Sequence, residues 1–127
     1  MVELLFDTCV LIDHLRGIAE ATRMVKMVKE GSIIGYISTL TEAELFAGKD
    51  SDDSGKRTML IDLLSIFEKL DINEGIARVA GEFKRKYGIT LADAIIAATA
   101  FMLRCKVATQ NTKDFRIVKE IEVEKPY

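Results

Sequence analysis

Short apolar runs alternate along this chain with stretches of helical periodicity, and that alternation restricts the fold more than any other feature. The runs are VELLF (2–6), SIIGYIS (32–38), KLDI (69–72), CKVAT (105–109) and IEVEK (121–125), the last alternating as an edge strand does. Helical patterns span roughly 9–29, 40–67, 74–87 and 91–104, and the polar cluster GKDSDDSGK (48–56) interrupts the second as a solvated connection. Strands that alternate with helices build βαβ units. The expected class is therefore α/β: a three-layer α/β/α sandwich on a mainly parallel sheet covered on both faces.

No repeat, low-complexity tract or Pro/Gly/Ser linker divides the sequence, so residues 1–127 are expected to form a single domain. A chain of this size buries about two-thirds of its unfolded surface and needs no metal or disulfide to fold. Eighteen Lys and Arg against twenty Asp and Glu give a net charge of -2. Bulk attraction to nucleic acid is excluded by that balance, leaving local patches or bound cations as the means of contact. Cys9, Cys105 and the lone His14 lack metal-ligand spacing, as in a reduced intracellular protein. The opening MVELLFD is too short and acidic for a signal peptide, and no uncharged run reaches the ~18 residues of a membrane span. A cytoplasmic location and no membrane partner are expected.

In open parallel sheets ligands bind outside the carboxyl ends of the strands. Asp7 follows the first apolar run, Glu42 and Glu44 follow the second, Asp114 follows the fourth in QNTKDF, and Asp93 opens the apolar segment LADAIIAATAFML (91–103). Each acid has an ordinary explanation. Thr39-x-x-Glu42, Thr41-x-x-Glu44 and Thr90-x-x-Asp93 all fit the capping box, while Asp7 and a helix over FRIVKEI (115–121) capped by Asp114 fit simple N-caps. Their joint placement is harder to explain that way. Two carboxylates 4 Å apart repel by ~4 kcal/mol at an effective dielectric of 20, and several such pairs approach the whole stability of a domain. Some acids must stay protonated or a cation must sit among them. All-oxygen donors select Mg²⁺ or Mn²⁺ rather than zinc, and such ions recruit phosphate oxygens.

Four segments, LLFDTCVLID, ISTLTEAELFAG, LADAIIAATA and ATQNTKDF, occur in an order and spacing that resembles the PIN-domain nucleases, and within them the VapC-type ribonuclease toxins. That resemblance implies the PIN-like α/β/α fold and Mg²⁺- or Mn²⁺-dependent endoribonuclease activity on RNA phosphodiesters, as the toxin of a type II toxin–antitoxin pair. It also implies a homodimer and a small VapB-like antitoxin. By the same resemblance Asp7, Glu44, Asp93 and Asp114 are the catalytic and metal-binding set, because Glu44-Leu45 with Gly48 matches the family pattern and Glu42 does not. Glu42 is left to cap with Thr39. Asp7 and Asp93 are the expected direct ligands, with Glu44 a ligand or the group positioning water, and Asp114 supporting a second ion. Thr109 and Asn111 are expected behind them, and Lys113 against phosphate. The chain departs from the family pattern at Cys9, often Ser or Asn, and at Gln110, often Arg.

Other features have plainer readings. Lys84, Arg85 and Lys86 in FKRKY form a solvated face or touch RNA, His14 is a surface or packing residue, and Phe46, Leu60, Leu64 and Phe67 make core or a dimer surface. Rival functions are a housekeeping PIN nuclease in RNA processing and, in another class, a phospho-aspartyl receiver or hydrolase using Asp7. Against the latter, DTCVL lacks a second acid two residues on.

Overall fold

The computed structural model of the chain describes the backbone of residues 1–127 and every side chain except that of residue 50. Five strands, β1 (Glu3–Phe6), β2 (Ile34–Ser38), β3 (Glu68–Leu70), β4 (Lys106–Ala108) and β5 (Val123–Glu124), form one sheet in the order β3-β2-β1-β4-β5. All of its strand pairings are parallel.

Seven α-helices complete the described residues: α1 (Thr8–Leu15), α2 (Ala19–Lys29), α3 (Thr39–Phe46), α4 (Ser54–Leu64), α5 (Glu74–Tyr87), α6 (Leu91–Leu103) and α7 (Thr112–Arg116). Side chains alternate across a strand, so β1 feeds both faces of the sheet. Leu4 and Phe6 join Val10, Leu11, Val25, Val28 and Leu64 of α1, α2 and α4, whereas Leu5 joins Ile76, Phe83, Ala97 and Phe115 of α5, α6 and α7. These two cores flanking one sheet are the three layers expected from the alternation.

Several boundaries moved. The helical pattern over 9–29 is two helices, because Gly17 adopts a left-handed φ of +83° and closes α1 in a Schellman motif. Its amide donates to the His14 carbonyl and the Ile18 amide to the Asp13 carbonyl, both at 3.0 Å. The 48–56 connection is partly ordered. It contains a 3-10 turn, Lys49–Asp52, and Asp53 then caps α4 by accepting from the Lys56 amide at 3.0 Å. The helix expected over FRIVKEI begins earlier and ends at Arg116, placing Asp114 in its first turn rather than at its cap. Glu42 does not close a capping box with Thr39: Ser38 caps α3 by accepting from the Leu40 amide, and the Glu42 carboxylate pairs with Lys69 at 2.7 Å. Lys69 stands on the neighbouring strand and offers a full charge where Thr39 offers an amide.

Phe46, Leu60, Leu64 and Phe67 belong to the core under α4, with the Arg57 guanidinium 5.0 Å above the Phe46 ring. No helix among the described residues is long and apolar enough to cross a membrane.

Candidate active site

Chain direction fixes where the acids go. β1 ends at Phe6 and α1 starts at Thr8, so Asp7 is the corner residue and N-caps α1 from an extended backbone. Its Oδ1 accepts from the Thr8 amide at 2.9 Å; its Oδ2 accepts from the Thr109 hydroxyl at 2.8 Å and the Cys9 thiol at 3.3 Å. Thr109 follows β4, the neighbouring strand, so two strand ends are joined through one buried carboxylate. The Asn111 amide in turn donates to the Thr109 hydroxyl at 3.0 Å.

Glu44 reaches the same corner from α3. The Thr8 hydroxyl donates to its Oε1 at 2.7 Å, and the Thr41 and Thr8 hydroxyls are 2.9 Å apart. Both threonines are buried. A hydroxyl has one proton, so Thr8 can donate to Glu44 only if Thr41 donates to Thr8. This pair was not anticipated from the sequence, where Thr41 stood as a cap and Thr8 had no assigned part; the only available signal was two threonines at positions that a helix would otherwise fill with apolar residues.

Asp93 arrives from the opposite layer. Gly88 ends α5 in the left-handed region at φ +67°, and Thr90 caps α6 by accepting from the Asp93 amide at 3.1 Å. Half-buried Asp93 is held above the usual carboxylate range, chiefly by burial and next by the charge of Asp7, against a stabilising hydrogen bond from Thr90 and with smaller contributions from Asp114 and Glu44. Asp93 therefore feels the charge of each of the other three acids. Asp7, Glu44 and Asp93 line a cleft of about 340 Å³ with Thr8, Cys9, Ile12, Ala92, Ile96 and Asn111. Asp114 and Lys113 are exposed on α7 beyond that lining.

A larger cleft of about 870 Å³ includes Val2, Glu3, Cys105 and Lys106, at the amino ends of β1 and β4. Parallel sheets place ligand chemistry at the other end, and the acids are there, so the smaller cleft is the candidate site.

Donor chemistry tests what the cleft could hold. Its polar groups are three carboxylates, the Thr8 hydroxyl, the Asn111 amide and the Cys9 thiol, and burial with the nearby Asp7 charge pushes that thiol up to about 11, which disfavours a thiolate ligand. His14 bonds the Thr22 hydroxyl instead. Among the described residues no three Asp, Glu, His or Cys side chains converge closely enough to form a closed cage. Such a site suits a hard divalent cation that takes one or two carboxylates and keeps its waters, as Mg²⁺ and Mn²⁺ do. Gln110, the departure from the family pattern, lies outside the cleft lining; its amide donates to the Tyr127 carbonyl at 3.1 Å, and the Tyr127 hydroxyl donates to Asp13 at 2.7 Å.

Comparison with known proteins shows the family. The family model described as PIN domain matches residues 4–121, and the chain belongs to that family. It is similar to Ribonuclease VapC10 of Mycobacterium tuberculosis, 34% identical over 125 residues that span 94% of this chain and 90% of the relative. Ribonuclease VapC2 of Methanocaldococcus jannaschii is 26% identical over 137 residues, covering 95% of this chain and 92% of its own. A chain in a toxin–antitoxin complex from Klebsiella pneumoniae superposes with a TM-score of 0.81 at 32% identity, over 98% of each chain.

Proposed function

We propose that this chain is a Mg²⁺- or Mn²⁺-dependent endoribonuclease acting in the cytoplasm as the toxin of a toxin–antitoxin pair. The observation that carries the chemistry is the convergence of Asp7, Glu44 and Asp93 from three segments on one cleft, with the Asp114 charge reaching Asp93. Similarity to the VapC ribonucleases and to the toxin–antitoxin chain supports the substrate and the antitoxin partner. A homodimer follows from the same family reading.

When bound, a divalent ion supplies an activated water and neutralises charge on the phosphate. The chain supplies the rest. Asp7 and Asp93 would hold the ion, Asp7 fixed by the Thr8 amide, Thr109 and Cys9, and Asp93 oriented at the start of α6. Glu44, aimed by Thr8, would orient the water or add an oxygen ligand. Asp114 would support a second ion, with Asn111 and Lys113 toward the phosphate. No protein nucleophile takes part, which separates this reading from phosphorylation of Asp7.

The test is cleavage of total cellular RNA by purified protein with Mg²⁺, Mn²⁺ or EDTA, beside Asp93→Asn, with the new ends mapped. Cleavage that needs metal and disappears in the variant is expected. Cutting that persists in EDTA or in Asp93→Asn would remove the mechanism.

A further inference from the structure

Residues 83–87 and 112–120 carry six of the chain's eighteen cations, Lys84, Arg85, Lys86, Lys113, Arg116 and Lys119, beside two acids, Asp114 and Glu120. These fourteen positions thus hold a charge of +4 in a chain whose net charge is -2. All six cationic side chains are exposed.

The fold joins the two segments. The Tyr87 hydroxyl accepts from the Lys119 amide at 3.4 Å and donates to the Glu120 carboxylate, which also pairs with Lys86 at 3.3 Å. The end of α5 therefore rests against the loop that follows α7. Both segments connect along the chain to acids of the site, while Glu120, where they meet, lines the larger cleft at the amino ends of the strands. Lys84 donates to the Ile89 carbonyl at 3.2 Å, in the link that delivers Thr90 and Asp93, and α7 itself carries Asp114. On α7 the buried Phe115 faces the core, which turns Lys113 and Arg116, three residues apart, outward together.

We propose that this arc, from Lys113 through Arg116 and Lys119 to Lys86, Arg85 and Lys84, is a track for the sugar–phosphate backbone of a single-stranded polynucleotide whose scissile phosphate lies in the cleft. That the strand is RNA rests on the function proposed above; the binding itself does not. A cleft of carboxylates repels a polyanion, and cations leading away from it would hold the phosphates on one side of the reacting one. An arc that reads phosphates provides affinity and register without sequence preference.

Binding is measured in the non-cleaving Asp93→Asn background with fluorescent single-stranded RNA and DNA oligonucleotides between 50 and 200 mM salt. One variant carries Lys84→Ala and Arg85→Ala, a second Arg116→Ala and Lys119→Ala, and a control carries Arg23→Ala and Lys29→Ala on α2. Each arc variant is expected to flatten the slope of log affinity against log salt by about 1.4, two contacts at ~0.7 each, and to weaken binding roughly tenfold at low salt, while the control changes neither. An unchanged slope in both arc variants, an equal loss in the control, or binding of polyglutamate in place of RNA would overturn the track. Arc-dependent binding without cleavage by the unmutated chain under any metal leaves the track standing and removes the nuclease reading. Cleavage with no arc dependence does the reverse.

Discussion

Three donors converge on the Asp7 carboxylate, whereas Asp93 sits half-buried among like charges with one hydrogen bond from Thr90 to offset them. Neutralising the two acids should consequently have opposite effects on the metal-free protein, although the sequence, which shows only two carboxylates at element starts, treats them alike. Asp93 is raised above its ordinary 3.8, so between 3.8 and the raised value the folded chain binds more protons than the unfolded one. Stability from its protonated form is fully present below that window and is lost as pH rises through it. In EDTA, Asp93→Asn should melt above the unmutated chain at pH 7, with the gap closing toward acid pH. Asp7→Asn instead turns an NH₂ toward a donor and should cost ~1–3 kcal/mol. Thermal melts across pH decide the matter; a lower melting point for Asp93→Asn at neutral pH would contradict the electrostatic account. Thr8 tests the other hydrogen-bonded support. Thr8→Val removes the bond to Glu44 and should lower Mn²⁺ affinity and cleavage about 10–100-fold, with Thr8→Ser restoring both. Equal activity of the two variants would show that Glu44 needs no such support.

Helices with a strong pattern and a clear stop were legible from the sequence. α5 and α6 fall nearly where periodicity and Gly88 put them, and Ala94, Ala97, Ala98 and Ala100 are buried as close packing requires. Short elements were legible in kind but not in extent. β3 exposes Glu68 and Lys69 at the sheet edge, so no apolar run marks its bounds. Gly17 stayed hidden inside 9–29, because a glycine within an apolar periodicity does not announce a left-handed turn until the carbonyls it satisfies are known. Gly35 is a similar case with a measurable outcome. A Cβ there would stand 2.8 and 2.9 Å from the two Val28 methyl groups and 2.9 Å from Phe67. Gly35→Ala should therefore cost ~1–3 kcal/mol in urea unfolding, and adding Val28→Ala should recover part of it. An unperturbed midpoint for the single variant would mean that α2 shifts without strain.

Across the whole molecule, the fold class and the placement of acids after the strands could be read from the sequence because strand–helix alternation and the strand-end rule act on local patterns, whereas the choice of Glu44 over Glu42 rested on the family resemblance. Contacts that depend on distant segments meeting could not. Thr109 on Asp7 joins positions 102 residues apart and was expected only through the family resemblance, and the basic arc arises only when Tyr87 meets Lys119 and Glu120. The sheet order carries a further consequence for the order of synthesis. β1 is the central strand, yet one of its two neighbours, β4, lies at residues 106–108. As the chain leaves the ribosome, β1 can pair with β2 early but keeps an open edge until residues 106–108 have emerged. Thr109 reaches Asp7 only when that edge closes, so a nascent or prematurely terminated chain lacks the assembled cleft. A chain that attacks RNA with these residues would acquire the means to do so only once β4 has joined the sheet.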